Sequence, residues 1–224
     1  MSSPCALTRF PLLSSLILGI LCSWLTILPV DSIAVDAASV PVEPQQTVRN
    51  LQASDLPPRF EPAPPFLRQF IYKGLTALQP YLEREGIALG DVSTFVDFEQ
   101  AELALALTIA LSNPQTVQKF DADLSRPNAG EILAKGIEQG IQGFGSLKVT
   151  QIQELNSVEA IGNRARGFSF QANFQGLPLQ LFGEAVAFRR NGVGALVVLG
   201  ALNHPLEKIR VQDVAARLDR RFLN

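Results

Sequence analysis

The sequence predicts an α+β fold, in which an antiparallel sheet of about five or six strands packs against N-terminal, central and C-terminal helices. Three patterns in the C-terminal third carry this prediction. Large apolar residues alternate with polar ones on both sides of Gln175–Gly176, apolar runs flank Asn191–Gly192, and Val211 to Phe222 is amphipathic. Alternation of apolar and polar residues is typical of half-buried strands, and Asn-Gly is typical of tight hairpin turns. An amphipathic segment is typical of a helix that packs on a core.

The first predicted helix covers Phe66 to Glu85, where apolar residues recur at helical spacing. Pro65 suits the first turn of a helix, and Gly86 suits its end. Pro80 lacks a backbone donor, so we expect it to kink or split this helix.

The next segment is open to two interpretations. Leu and Ile alternate with Ala and Thr from Leu103 to Leu111, which predicts a strand, whereas Ala and Leu are also strong helix formers. We give the periodicity priority over the propensity. The prediction is a hairpin with strands 93–98 and 102–111 that turns near Glu99–Gln100.

Helical spacing returns from Thr116 to Phe144 and is interrupted at Pro127, which predicts the central helices. Gly143 and Gly145 are expected to end the second of them.

The C-terminal strands have a predicted register. A two-residue turn at Gln175–Gly176 pairs three apolar residues on each side: Phe174 with Leu177, Ala172 with Leu179 and Phe170 with Leu181. The turn at Asn191–Gly192 pairs Phe188 with Ala195 and Val186 with Val197. The apolar phase changes after Leu181, so we expect a bulge near Gly183. Residues 193–202 are apolar without alternation, as in a strand covered on both faces.

The N-terminus resembles a secretory leader or a membrane anchor. Residues 10–30 carry no formal charge, and Arg9 stands before them. We favour a cleaved leader over residues 1–37 and keep an uncleaved anchor at residues 10–30 as the alternative. Lipidation at Cys22 is disfavoured, because lipidated cysteines normally follow a small residue. The protein is therefore expected to be exported, to a periplasm or a thylakoid lumen.

A linker is predicted over residues 38–65, which contain seven prolines. Its segment from Leu56 to Phe60 is able to dock on the domain as an extended arm. A single α+β domain then follows over residues 66–224.

Most catalytic chemistry is disfavoured by the residues that remain after the leader. Both cysteines precede residue 37, and His204 is the only histidine. These residues are too few for a cysteine nucleophile with a histidine base or for a zinc site built from cysteine and histidine ligands. Asp121 to Ser125 imitates the start of a calcium loop, but Arg126 and Ile132 occupy the positions that need glycine and glutamate. No metal or cofactor is predicted.

Three carboxylates lie around the first hairpin turn: Asp97, Glu99 and Glu102. Paired carboxylates support acid–base catalysis, although acids at a turn are ordinarily just solvated. They motivate one alternative, a cryptic carboxylate-dependent hydrolase.

Charge is distributed unevenly along the chain. Residues 83–138 carry ten acids and four bases, whereas residues 164–224 carry nine bases and four acids. The net charge of −2 argues against a nucleic-acid partner. A solvated surface is the simplest interpretation of the basic part, and a face for an anionic partner is the functional one. The candidate interaction face comprises seven arginines: Arg164, Arg166, Arg189, Arg190, Arg217, Arg220 and Arg221.

Four segments carry a resemblance to known proteins: residues 56–60 (Leu-Pro-Pro-x-Phe), 162–168 (Gly-Asn-x-Ala-x-Gly-Phe), 188–195 (Phe-Arg-Arg-x-x-Val-Gly-Ala) and the helix at 211–221. In these the chain resembles a set of exported proteins found in cyanobacteria and, more remotely, the PsbP-like lumenal domains. The resemblance implies an antiparallel sheet packed between helices. It also implies an accessory or assembly role at a photosynthetic membrane, without catalysis.

The favoured functional hypothesis is a non-enzymatic exported accessory or assembly module, whose basic C-terminal third contacts a membrane protein complex or an anionic membrane surface. One alternative is a binding protein for a small apolar ligand such as a lipid or pigment, because fourteen phenylalanines are enough for an aromatic pocket. The other is the carboxylate-dependent hydrolase. The oligomeric state is left open.

Overall fold

The computed structural model describes residues 50–84, 86–140 and 147–223. Its strands are β1 (Glu61–Pro62), β2 (Ile87–Asp97), β3 (Glu102–Leu111), β4 (Leu147–Glu154), β5 (Arg164–Phe174), β6 (Gln180–Arg190) and β7 (Val193–Leu202). Its α-helices are α1 (Pro65–Arg84), α2 (Pro114–Leu124), α3 (Ala129–Gly140) and α4 (Val211–Arg221), and a 3-10 turn covers Ala53–Asp55. The strands form one antiparallel sheet in the order β1-β2-β3-β7-β6-β5-β4.

The α+β class is confirmed, but the sheet has seven strands and not five or six. The two strands without a sequence prediction are the outermost ones. β1 has only two residues, one of them Pro62. In β4 the pairing register shifts between Val149 and Gln151, so Leu147 and Val149 are out of phase with Ile152. This bulge interrupts the alternation by which a strand is recognised.

The helices follow the predicted segments. α1 is helical on both sides of Pro80, so the proline does not split it into two helices. Pro127 lies in the connection between α2 and α3, as predicted. Asn113 caps α2, because its Oδ1 accepts a hydrogen bond of 2.9 Å from the amide of Thr116. The glycines predicted to end α3, at positions 143 and 145, lie outside the described residues.

All three predicted hairpins are present, and two of them turn where predicted. β2 and β3 pair Asp97 with Glu102 around a turn at residues 98–101, which confirms that periodicity outweighs helix propensity here. β2 begins earlier than predicted. Its first part was not recognised as a strand, because a register shift between Leu89 and Val92 interrupts the alternation of apolar residues. The turn at Asn191–Gly192 pairs Phe188 with Ala195, as predicted.

The register between β5 and β6 differs from the prediction by two residues. Ala172 pairs with Leu181 and Phe170 with Gly183. Pro178 cannot donate a ladder hydrogen bond, so the turn extends over residues 175–178. Because the shift is an even number of residues, every side chain keeps its predicted face.

The bulge expected near Gly183 is wrong, since β6 pairs with both neighbours without a register shift. Apolar residues occur in both phases of β6 because both faces of the sheet are covered. On one face Ala185 packs with Leu133 of α3 and Phe120 of α2. On the other, Val186 packs with Leu218 of α4. β7 is buried on both faces, as predicted.

The N-terminal strap, defined here as residues 50–63, completes the second layer. Leu51, Leu56 and Phe60 are buried there against Phe95 of β2 and α4. The docking predicted for Leu56 to Phe60 is therefore confirmed, but the segment is not extended throughout, because the Phe60 amide donates to the Pro57 carbonyl and closes a turn. The folded unit includes part of the range assigned to the linker. Within the three described ranges no helix is long and apolar enough to cross a membrane. The predicted leader or anchor lies outside those ranges.

Candidate functional site

Three arginines of the predicted face lie on the side of the sheet that packs against α2: Arg164, Arg166 and Arg189. Arg166 donates from Nε to Glu154 at 2.7 Å and from Nη1 to the carbonyl of Leu124 at 3.0 Å. Arg189 contacts both carboxylate oxygens of Asp121, at 2.8 and 2.7 Å. The hydrogen bond to Asp121 raises the pKa of Arg189. These guanidinium groups hold α2 and the edge strand β4 to the sheet.

The other four arginines lie on the side that packs against α4: Arg190, Arg217, Arg220 and Arg221. Arg190 forms a two-point ion pair with the buried Asp219 of α4, and this hydrogen bonding raises its pKa. Arg221 donates to both oxygens of Asp55 in the strap, at 3.1 and 2.9 Å. Arg217 donates to the Asp55 carbonyl at 2.7 Å.

The seven arginines are thus divided between two faces of the sheet. We call Arg217, Arg220 and Arg221 the α4 basic end. Arg217 and Arg220 are exposed there. Within the described ranges, no carboxylate lies within ion-pair distance of Arg220. On the α2 side Arg166 and Arg189 are used in internal contacts, whereas Arg164 is exposed and donates to Ser125 Oγ. At the α4 basic end Arg217 and Arg221 are held by Asp55, so Arg220 is the arginine of that end that remains available to a partner.

His204 is half-buried in the loop after β7, and both of its ring nitrogens face backbone carbonyls. Nε2 contacts the carbonyl of Gln100 and Nδ1 that of Pro205. Because these two carbonyls favour the imidazolium form, the pKa of His204 is raised. A raised pKa and two occupied nitrogens suit a link between loops better than a general base.

Two of the hairpin carboxylates are not solvated, contrary to expectation. Asp97 is 2% exposed and Glu102 is 5% exposed, and both form ion pairs with Arg59 of the strap. Asp97 Oδ1 also accepts hydrogen bonds from the amides of Glu99 and Gln100, at 3.0 and 3.1 Å, and so closes the turn. Arg59 was missed because it lies in the segment assigned to the linker.

A cavity of about 40 Å³ lies between α2, α3 and the sheet. Its wall is almost entirely apolar, and the side chains around it include Phe120, Leu133 and Phe168. Among the residues that the structure describes, two polar ones line it, Asp123 and Arg166. We call it the α2–α3 cavity.

Asp123 is the unusual residue of this cavity. It is 8% exposed, and neither carboxylate oxygen accepts a hydrogen bond, although Arg126 Nη2 lies 2.8 Å from Oδ1. Burial raises its pKa, and the charges of Arg126 and Lys119 partly oppose that shift. The sequence held a signal, because Thr116, Phe120 and Asp123 share the i, i+4, i+7 spacing of a buried helix stripe.

Asp123 is expected to make the protein less stable as the pH rises. Its folded-state pKa lies above the ordinary value of 3.8, so between these two values the folded chain binds more protons than the unfolded chain. The free energy of unfolding therefore falls as the pH rises through that window. We expect Asp123→Asn to remove this loss, so that the variant gains stability relative to the parent protein as the pH rises. Urea unfolding between about pH 4 and pH 8 measures the difference.

Glu131→Gln is the matched control, because it removes an exposed carboxylate from the neighbouring α3. It should not reproduce the gain. A parent protein and an Asp123→Asn variant with parallel pH profiles would contradict the assignment.

No family model matches this chain, and neither does any curated protein or any solved structure. Among the residues that the structure describes, no three His, Cys, Asp or Glu side chains are placed to hold a metal ion. The resemblance to exported cyanobacterial proteins stays a prediction.

Proposed function

We propose that the protein is a non-enzymatic exported accessory or assembly module, which contacts a membrane protein complex or an anionic membrane surface through its α4 basic end. One observation carries the proposal. Asp55 of the strap lies between Arg217 and Arg221, with hydrogen bonds of 2.7 to 3.1 Å to the two guanidinium groups. The N-terminal end of the folded unit is therefore held beside the α4 basic end.

This placement supports one orientation at a membrane. Residues 1–49 join the folded unit at the strap, on the side of α4. With an anchor or a membrane-bound leader at residues 10–30, the spacer that follows has a reach of about 60 Å in extended form. The α4 basic end then faces the membrane from which the chain emerges, in the periplasm or the thylakoid lumen.

The electrostatics of the α4 basic end suit an anionic partner. Arg221 is compensated by Asp55, whereas Arg220 is exposed and its charge is directed to solvent. A basic residue near an anionic membrane surface contributes about 1 kcal/mol of attraction, which corresponds to about a fivefold change in affinity.

The two alternatives have less support. The α2–α3 cavity, at about 40 Å³, is much smaller than the pockets of about 300–1,000 Å³ that enclose drug-sized ligands, so it does not suit a whole lipid or pigment. A groove of about 430 Å³ between α1 and β2 has the volume, but Arg68, Gln69 and Thr94 are among the six residues that line it, so it does not offer the apolar wall that such a ligand needs. Asp97 and Glu102, the carboxylates of the hydrolase hypothesis, are buried and paired with Arg59. A non-enzymatic role therefore remains our proposal.

Arg220→Gln should weaken recovery of the partner about fivefold in a pull-down of the full chain from its own membranes in mild detergent at low salt. High salt should release the partner from the parent protein. Lys148→Gln is the control, because it removes an exposed cation from β4 at the edge of the sheet. The proposal fails if no partner is recovered at low salt, or if both variants lose it equally.

A further inference from the structure

The groove of about 430 Å³ between α1 and β2 is called here the α1–β2 groove. Its lining residues are Pro65, Arg68, Gln69 and Tyr72 of α1, and Val92 and Thr94 of β2. The α1 residues recur at spacings of three and four, so they share one face of the helix, and the two β2 residues share one face of the sheet. Val92 packs in the layer under α2 and α3, whereas α4 packs in the other layer. The groove therefore lies on the face of the sheet away from the α4 basic end.

Thr94 gives this groove a polar group without a protein partner. The residue is 5% exposed and borders the groove, and its hydroxyl has no hydrogen-bond partner among the described residues. The hydroxyl of Ser93, on the opposite face of β2, is enclosed and unpaired, whereas that of Thr94 is not sealed from water. A largely buried hydroxyl at the base of a groove is therefore left to water or to a ligand.

The α1 side of the groove adds three polar side chains that point to an anionic ligand. Arg68 and Gln69 are exposed, and Tyr72 is 57% exposed. Among the described residues, none of the three has a side-chain hydrogen bond or an ion pair. Two acids that are close in the sequence, Glu61 and Asp91, do not line the groove. Arg68 is thus the one charged residue of the described lining, and it suits a ligand with a single negative charge.

We propose that the α1–β2 groove binds a sugar acid, which is a pyranose ring that carries one carboxylate. Arg68 binds the carboxylate, because its planar guanidinium donates two parallel hydrogen bonds. The pyranose ring stacks on the ring of Tyr72. Gln69 and Thr94 bind the ring hydroxyls. This site goes beyond the accessory role proposed above.

The lining disfavours other classes of ligand. An ammonium compound would meet Arg68 and find no carboxylate on the described lining. A phosphate carries more negative charge than one exposed guanidinium compensates. Sugar hydroxyls need partners that both donate and accept, and the side chains of Gln69, Tyr72 and Thr94 have that property.

The size of the groove suits a single sugar unit. An engineered cavity of about 150 Å³ holds benzene, so a volume of about 430 Å³ holds about seventeen heavy atoms in proportion. A pyranose acid of about thirteen heavy atoms fits within this limit.

Three probes test the chemistry: glucuronate, glucose and cyclohexanecarboxylate. Glucose keeps the ring hydroxyls without the carboxylate, and cyclohexanecarboxylate keeps the carboxylate without the hydroxyls. The full chain is titrated with each at low salt, and the methyl NMR signals of Val92 and Thr94 are followed. At the ligand efficiency of drug-sized molecules, about thirteen heavy atoms correspond to a Kd of about 1 mM for glucuronate. The other two probes should bind at least about fivefold more weakly, because each lacks one set of contacts.

Two variants assign the contacts. Arg68→Gln should weaken glucuronate binding about tenfold and leave glucose binding unchanged, because only glucuronate has a carboxylate. Thr94→Val keeps the shape of the side chain but removes the hydroxyl, and it should weaken the binding of both sugars about fivefold. Lys148→Gln is the control, because it removes an exposed cation at the opposite edge of the sheet, and it should change neither affinity. Urea unfolding checks that the variants are folded, and Arg68→Gln changes an exposed side chain that the fold does not need.

The proposal is overturned if glucuronate binds no more tightly than the other two probes, or if Arg68→Gln keeps the parent affinity for it. Unchanged binding of both sugars by a folded Thr94→Val variant, or methyl shifts spread over the whole domain, would also overturn it. None of these results bears on the pull-down with Arg220→Gln, so the two proposals fail independently.

Discussion

Arg59→Met should lower the free energy of unfolding by about 3–5 kcal/mol, the range found when one partner of a buried ion pair is removed. Arg59 is the counter-charge of two carboxylates, Asp97 and Glu102, whose side chains are 1% and 3% exposed. Methionine preserves much of the volume of the side chain but leaves both carboxylates buried without a cation.

The loss should also loosen the strap. Arg59 joins residues 50–63 to the turn between β2 and β3, and the neighbouring Phe60 is buried in the same layer as Phe95. A strap that separates from the sheet would expose the apolar residues below it. We therefore expect the variant to bind a hydrophobic dye more strongly than the parent protein does.

Urea unfolding followed by circular dichroism measures the change. Arg220→Met is the control, because it removes an exposed arginine, and it should cost less than about 0.5 kcal/mol. Adding Asp97→Asn and Glu102→Gln to Arg59→Met should restore part of the stability, since neutral amides need no counter-charge. A loss below about 1 kcal/mol for Arg59→Met would show that the ion pairs contribute little.

Local patterns predicted most of the sheet because its strong signals lie within a few residues of each other. The pairing of Phe188 with Ala195 follows from Asn191–Gly192 alone. The hairpin of β2 and β3 follows from alternation, even though its composition favours a helix. Both signals combine a short loop with burial on a defined face, so tertiary contacts reinforce them.

Apolar patterns did not predict the elements in which the backbone departs from regular pairing. In β4 one extra residue moves the apolar side chains out of alternation, so the strand lacks the alternating pattern that is typical of half-buried strands. After β5, Pro178 is excluded from the ladder by its missing amide, and the turn lengthens. In both cases one residue changes the register, and patterns of apolar residues do not detect it.

The candidate sites were only partly predictable. The charged residues can be counted from a sequence, but the residues that they contact in the folded protein cannot be identified from it. The α4 basic end was included among the seven predicted arginines, whereas the pairing of Arg221 with Asp55 joins residues that are 166 positions apart. Asp123 was considered only as a calcium ligand. Its position on the buried stripe of α2 was readable, but the cavity beside it depends on how α2 and α3 pack on the sheet.

The glycine at position 183 makes the packing of Phe170 possible. Phe170 on β5 pairs directly with Gly183 on β6, and its ring lies across the glycine. A Cβ at position 183 would lie 2.6 Å from both Cε atoms of the ring and closer still to Cζ. Phe170 is buried in the layer covered by α2 and α3, so the ring has little room to move.

We therefore expect Gly183→Ala to cost about 3 kcal/mol, at the upper end of the range for overpacked cores. Thermal and urea unfolding measure the loss. Gly200→Ala is a close control, because Gly200 pairs with Gly183 on the next strand and its Cβ would lie no nearer than 3.6 Å to another group. That variant should be neutral or stabilised by about 0.5 kcal/mol.

The contact itself is tested by a double-mutant cycle. Phe170→Leu removes the ring atoms that meet the new Cβ, so the combination with Gly183→Ala should be more stable than the sum of the single changes predicts, by at least about 1 kcal/mol. Additive losses would place the cost of Gly183→Ala elsewhere, in the backbone of β6. A Gly183→Ala variant as stable as Gly200→Ala would mean that the ring does not lie over the glycine in solution.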